Sequence, residues 1–327
     1  MKRGLHAGFG QNGGLSLNVL TQDEIGDIHL ATLEVLEQTG VFVEDDEALD
    51  IFGDGGCRVD RDKRNVRIPA PIVEEAIRSC PPSIKYCGRN PDRDFMVETN
   101  RVSFVNFDEG VKYTDPWTGE HRDPTLKDVG DCARLVDAMS DIDGYESAIC
   151  ATDVPQETYA LHGLFAAMQN TTKPIGCEAI DKWEARKCIE LAAMVVGGMD
   201  ELRDRPIVNL GVCPVSPLKL PRDATEVIIE AARAGLPDTV LSMAMCGGSS
   251  PVTLAGTMVV HNAEVLSGIV LAQLTERGAP IIYGSSTTAM DLRFAAASVG
   301  SPELAVIGAA IAQLSRQYRL PCYIAGA

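Results

Sequence analysis

None of the ten cysteines falls into a C-x-x-C or His-x-Cys spacing, so neither a disulfide framework nor the common zinc arrangements are predicted. Reduced, mostly buried thiols are expected, with no metal site. No P-loop, Ser-His-Asp order or metal-ligand cluster stands out, which leaves kinase, hydrolase and zinc-enzyme readings without support. The opening MKRGLHAGFGQNGG lacks the apolar core of a signal peptide, and no uninterrupted apolar run approaches the ~18 residues that span a bilayer. A cytoplasmic protein with no membrane contact is therefore expected. Positive charge is scarce as well: 29 Lys and Arg against 46 Asp and Glu give a formal charge of −17. That balance disfavours nucleic acid and anionic lipid; it suits solubility, or the steering of a small cation toward an acidic mouth.

What is present is ample apolar content, 45% of 327 residues, in a repeating α/β pattern. Residues 1–100 form an N-terminal α+β cap or packing region in this reading. Thr21-Gln22-Asp23-Glu24 is a capping box, Ile25, Ile28, Leu33 and Leu36 give one helical face, and short strands and a helix from Pro71 to Ser79 follow. Residues 101–327 form the main domain, beginning with a strand at Val102–Phe107 and a hairpin around Asp115-Pro116-Trp117-Thr118-Gly119. Helices and strands then alternate. Strands are predicted near 144–150, 174–177, 207–210, 239–243, 281–283 and 320–325. The longest helix opens at Thr253, carries Leu254, Met258, His261, Val265, Ile269 and Ala272 at helical spacing, and stops at Gly278.

Seven strands at crossover spacing, with no dinucleotide fingerprint after the first, argue for a (β/α)8 TIM-type barrel over an open doubly wound sheet. One strand is missing, and the stretch from Val102 onward is shorter than the roughly 250 residues of a full barrel. An incomplete barrel is expected, with an edge that a homo-oligomer would cover. A barrel places its site at the C-terminal ends of its strands. The candidates are Asn106 and Asp108, Thr152 and Asp153, Glu178, Ser216, Cys246, and Tyr283 with Ser285, and Asp291 in the loop beyond. Glu178 serves either an amine or a helix N-terminus. Tyr283 serves either as a cation–π partner for a methylated ammonium or as core. Asn106 and Ser216 contact substrate or satisfy loop backbone, and Asp291 lines the mouth or pairs on the surface.

Several stretches carry a resemblance: NAEVLSGIVLAQLTERGAPIIYGSS at Asn262–Ser286, the later MDLR and GSPELA, the Thr114–Arg122 segment TDPWTGEHR, NTTKP at Asn170–Pro174, CPVSPLKL at Cys213–Leu220, and PVTLAG. Together they resemble the trimethylamine:corrinoid methyltransferase (MttB) family from about Val102 to the end. The resemblance implies a barrel that continues beyond this chain, a small methylated amine as substrate, and a corrinoid cofactor carried by a partner protein rather than by this chain. It implies methylamine-dependent methanogenesis or related one-carbon metabolism. In the enzymes it resembles, the stretch after LP-x-x-x-AG is where an amber codon is read as pyrrolysine. The expected catalytic residue thus follows Ala327, leaving the chain truncated and inactive alone. A glycine-betaine-like quaternary amine is the alternative substrate. From another class, an inactive fragment or an amine-binding module is the alternative.

Overall fold

The computed structural model describes residues 17–99 and 101–326. The Gly-rich leader and the expected stop at Ala327 lie outside them. Two compact units divide the chain: residues 84–211 form unit 1, and residues 17–83 with 212–326 form unit 2. These units follow contact density, whereas the sequence division at residue 100 follows element type, and the two cut the chain differently.

The elements of residues 17–83 are α1 (Gln22–Glu34), β1 (Val41–Val43), α2 (Asp46–Asp54), β2 (Arg58–Asp60), β3 (Asn65–Arg67) and α3 (Ala70–Ser79). Thr21 and Glu24 form the predicted capping box at the start of α1.

Next come β4 (Ser83–Tyr86), β5 (Phe95–Glu98), the hairpin β6 (Tyr113–Thr114) and β7 (His121–Arg122), α4 (Leu126–Ala138), α5 (Tyr159–Asn170), β8 (Ile175–Cys177), α6 (Lys182–Val196), α7 (Met199–Asp204) and β9 (Val208–Val212). In unit 1 the strand direction is parallel throughout the alternating region. Val105 bridges Gly144, Tyr145 bridges Ile175, and β8 pairs with β9 in the register Ile175–Val208 to Cys177–Leu210. The first two expected strands are thus reduced to short bridges. Val129 on α4 and Ala166 on α5 pack with Ile149 and Ala151 between them. The NTTKP motif closes this layer. Lys173 is buried, and its Nζ donates to the carbonyls of Val136, Met139 (2.6 Å) and Ile142 (2.7 Å), so a cation satisfies the open C-terminus of α4.

Residues 212–326 supply β10 (Lys219–Leu220), α8 (Arg222–Ala234), β11 (Asp238–Ser242), β12 (Met245–Cys246), α9 (Leu254–Thr275), β13 (Ile281–Ser285), β14 (Thr288–Asp291), β15 (Ala296–Ala297), α10 (Pro302–Tyr318) and β16 (Cys322–Ile324). In unit 2, β11, β13 and β16 run parallel side by side, and β10 adds to the β1–β3–β2 sheet. The expected N-caps Thr253 and Ser301 are present. The expected stop at Gly278 moves: α9 ends at Thr275, because the Gln273 side chain bonds both the Gly278 amide and the Ala279 carbonyl and closes the turn early. Among the described residues α9 is the one helix long and apolar enough to cross a bilayer, and 72% of its apolar window is buried. The reason is packing: α1, α2, α3 and α8 cover one side while β11 and β13 cover the other, and a helix enclosed on all sides is apolar all round. The core of unit 2 is therefore built around α9, and the N-terminal helices exist to enclose it.

Candidate active site

Carboxylates collect where the parallel strands of unit 1 end. Asn106 starts the arrangement. Its amide donates to the Glu146 carbonyl (2.9 Å) and its oxygen accepts from the Glu146 amide (3.0 Å), so a side chain replaces the ladder that backbone would make and fixes Glu146. The Glu146 carboxylate lies across Gly176 of β8. A Cβ at Gly176 would stand 1.5 Å from Glu146 Oε2, so any side chain there would displace the carboxylate. Glu178, directly after β8, does the same on the next strand, since a Cβ at Gly211 would meet its Oε1 at 2.3 Å. Two strand glycines thus leave room for two carboxylates to lie over the sheet.

The electrostatics follow from burial. Glu146 is 5% exposed, and desolvation pushes its pKa to about 8, with the Asp108 charge adding to the rise and a hydrogen bond from Asn209 opposing it. Burial also raises Asp108 and Glu109; the Tyr159 hydroxyl partly relieves Glu109. That hydroxyl stands 3.1 Å from Glu109 Oε1 and 3.2 Å from the Glu178 carbonyl, either of which takes its single proton. The Cys150 thiol is pushed up to about 11, first by burial and then by Glu109, Glu178 and Asp108, so one thiol senses three of these carboxylates. The group is a largely buried set of carboxylates gathered at one set of strand ends. Such a site lowers its own energy by binding a small cation or by retaining protons. Among the described residues no group of three or more His, Cys, Asp or Glu side chains is placed to hold a metal ion.

Of the sequence candidates, Asn106, Asp108 and Glu178 come together here. Glu109, Glu146, Tyr159 and Asn209 were missed. The one signal for Glu146 was a lone charge inside the apolar run GYESAIC, and that signal is misread as a surface position unless the glycine opposite is known.

Thr152 and Asp153, also in unit 1, bond the segment that opens α4: Thr152 Oγ1 donates to the Pro124 carbonyl (2.9 Å) and Asp153 Oδ1 accepts from the Leu126 amide (2.7 Å). The other candidates lie in unit 2. Ser216 donates to Glu264 Oε2 (2.8 Å); Ser242 donates to the same oxygen (2.5 Å), and the Leu218 amide to Oε1 (2.9 Å). Ser216 is thus engaged with a buried carboxylate of α9. Tyr283 requires correction. Its ring is fully buried, its hydroxyl donates to Asn262 Oδ1 on α9 (2.6 Å), and the rings of His261 and Tyr318 edge it at 5.4 and 6.0 Å. A ring turned into the helix layer has no face left for an ammonium ion. Asp291 holds its own loop: its Oδ1 accepts from the amides of Arg293 and Phe294, closing the β14–β15 turn. His261 stays neutral, since burial pushes its pKa down to about 3; Nδ1 meets Thr287 Oγ1 at 3.1 Å and Nε2 has no hydrogen-bond partner.

The chain shares its α/β fold with a methylamine methyltransferase. It matches the crystal structure of the monomethylamine methyltransferase MtmB of Methanosarcina barkeri with a TM-score of 0.53 at 16% identity, covering 92% of this chain and 67% of that one. The sequence narrows the class. Residues 9–327 match the family model for trimethylamine methyltransferase (MTTB), and the chain belongs to that family. It is 44% identical to the trimethylamine methyltransferase MttB of Desulfitobacterium hafniense strain DCB-2 over 98% of this chain, and 43% identical to that of Methanosarcina thermophila over 98%. It is 31% identical to a glycine betaine methyltransferase of D. hafniense strain Y51 over 93%. The chain spans 65%, 67% and 63% of the length of these three relatives.

Proposed function

We propose that the protein takes a methyl group from a methylated amine, trimethylamine first, and delivers it to the cobalt of a corrinoid carried by a separate protein, in methylamine-dependent methanogenesis or related one-carbon metabolism. Family membership supports the reaction class. The single observation that carries the substrate class is the unit 1 site, in which Asp108, Glu109, Glu146 and Glu178 gather at the strand ends, because a methylated amine is a cation at neutral pH. The docked corrinoid supplies the nucleophile. The residues of this chain bind the ammonium ion, orient a methyl group outward, and exclude water. The C–N bonding pair stays with nitrogen, which leaves as a neutral amine when its proton is retained, and a carboxyl that titrates near neutrality, Glu146, is suited to hold that proton nearby.

The same proposal extends the parallel alternation to a (β/α)8 barrel behind an N-terminal cap over residues 1–100, in the cytoplasm. The betaine reading draws on the glycine betaine methyltransferase relative. It fits less well, since the same carboxylates repel a substrate that carries a carboxylate of its own. The test is methyl transfer itself. The purified protein is mixed with a cobalt(I) corrinoid protein and, in turn, trimethylamine, dimethylamine, monomethylamine and glycine betaine, and the cobalt absorbance is followed. Methylation with trimethylamine is the expected result. Methylation with glycine betaine alone, or with none of the four, overturns the proposal.

A further inference from the structure

A cavity lies wholly within unit 2, lined by none of the residues of the acidic site. It measures about 540 Å³, within the range of small-molecule sites. Ile25, Ile77 and Cys80 give it an apolar floor, each nearly buried. His29, Glu74 and Tyr318 on its wall are the outer members of a hydrogen-bonded chain whose proton order is fixed. Tyr283 donates to Asn262 Oδ1, and Asn262 Nδ2 donates to the Tyr318 oxygen (2.8 Å). Tyr318 therefore gives its own proton to His29 Nδ1 (2.9 Å), and His29 uses its Nε2 proton on Glu74 Oε1 (2.7 Å). From Tyr283 to His29 the polar atoms of that chain are engaged with one another, so recognition of a ligand falls to the groups at its outer end.

Two charges remain open. Glu74 has a second carboxylate oxygen with no hydrogen-bond partner, at a side chain 39% exposed. Arg319, which lines the same cavity, has a guanidinium without a partner among the described residues. The neighbouring Arg78 is held by Glu75 at 3.0 Å. One open acceptor, one open guanidinium and an apolar floor lining one cavity define the complement: an ammonium group, a carboxylate and a small aliphatic body.

From this we infer that the cavity between α1, α3 and the end of α10 is a binding site for an aliphatic α-amino acid, its ammonium on Glu74, its carboxylate on Arg319 and its side chain on Ile25 and Ile77. The site is independent of the methyl-transfer proposal. Binding at the open oxygen changes the charge on the carboxylate that His29 bonds, at the outer end of a chain that reaches β13, so occupancy is read at the imidazole.

The experiment is calorimetric titration of the protein with L-leucine, with glycine and isobutylamine as controls, while the His29 imidazole nitrogens are followed by NMR. Leucine is expected to bind, with glycine and isobutylamine each at least tenfold weaker and the His29 signals moving in step with saturation. Glu74→Gln keeps an acceptor for His29, Arg319→Met alters an exposed side chain, and each is expected to weaken leucine at least tenfold with the melting temperature unchanged. Absence of leucine binding at 10 mM overturns the inference, as does leucine binding that neither substitution weakens.

Discussion

The hydroxyl of Tyr283 donates to Oδ1 of Asn262 at 2.6 Å, joining the middle of β13 to the middle of α9. Both groups are buried, and Asn262 spends its amide on Thr32 and Tyr318. Tyr283→Phe leaves the Asn262 oxygen without its donor at almost constant volume. The expected cost is about 1–3 kcal/mol, measured by chemical denaturation, with amine binding unchanged. Tyr283→Ala adds a cavity and is expected to cost more, ~3–5 kcal/mol. A loss of amine affinity in Tyr283→Phe at constant stability would restore the ring to the substrate site.

Asp238 begins β11 with both carboxylate oxygens buried and without a hydrogen bond of good geometry. Burial pushes its pKa to about 7, only partly offset by the Thr239 amide. An acid whose pKa is raised in the fold contributes stability that is full below its unfolded pKa of about 3.9 and is lost as the pH rises through the folded value. Stability is therefore expected to decline between about pH 4 and pH 7 from this residue. Asp238→Asn removes the titration: its melting temperature should exceed that of the parent by several degrees at pH 8 and converge with it near pH 4. Equal pH profiles would show that Asp238 is not the group responsible.

Arg122 grips Asp128 with two parallel hydrogen bonds, 2.7 and 2.8 Å, and its guanidinium also lies 4.7 Å from the centre of the Tyr113 ring. These hydrogen bonds hold the Asp128 carboxyl well below the usual carboxylate range, against the cost of its burial. Asp128 also closes the N-terminus of α4 with Thr125. Here the sign is opposite to that of Asp238: a depressed carboxylate contributes stability above its unfolded pKa and loses it as the pH falls through the folded value. Because Arg122 is about one-third exposed, Asp128→Asn is expected to cost about 1–3 kcal/mol. Proteolysis should begin in the Asp115–Gly119 turn, and denaturation with limited proteolysis checks both.

Much of the fold was legible because its signals are local. Thr21 with Glu24, Thr253 and Ser301-Pro302 announce helix starts within four residues, and the Asp115–Gly119 turn announces its hairpin. The acidic site was only half legible. Asn106 and Glu178 follow from their positions after strands, whereas Glu146 depends on Gly176, thirty residues away, being too small to displace it. Tyr283 misled for a related reason. A tyrosine near a strand end reads the same whether it faces the sheet interior or the helices, and its partner Asn262 lies on the preceding helix, at a spacing that no local pattern encodes. Lys173 shows the converse: a conspicuous charge in a motif whose amine satisfies the carbonyls at the end of α4.

The central claim is that the strand-end carboxylates of unit 1 hold a cationic methylated amine, and calorimetric titration with trimethylammonium tests it most directly. Tert-butanol serves as a neutral molecule of similar size, Glu178→Gln as a variant that keeps shape and removes a carboxylate, and Glu146→Gln as one that keeps shape and removes a titratable group. Trimethylammonium is expected to bind while tert-butanol does not, and each substitution should weaken the cation at least tenfold, about 1.4 kcal/mol, with the melting temperature held or raised. Equal affinity for the cation in the parent and in both variants would contradict the account.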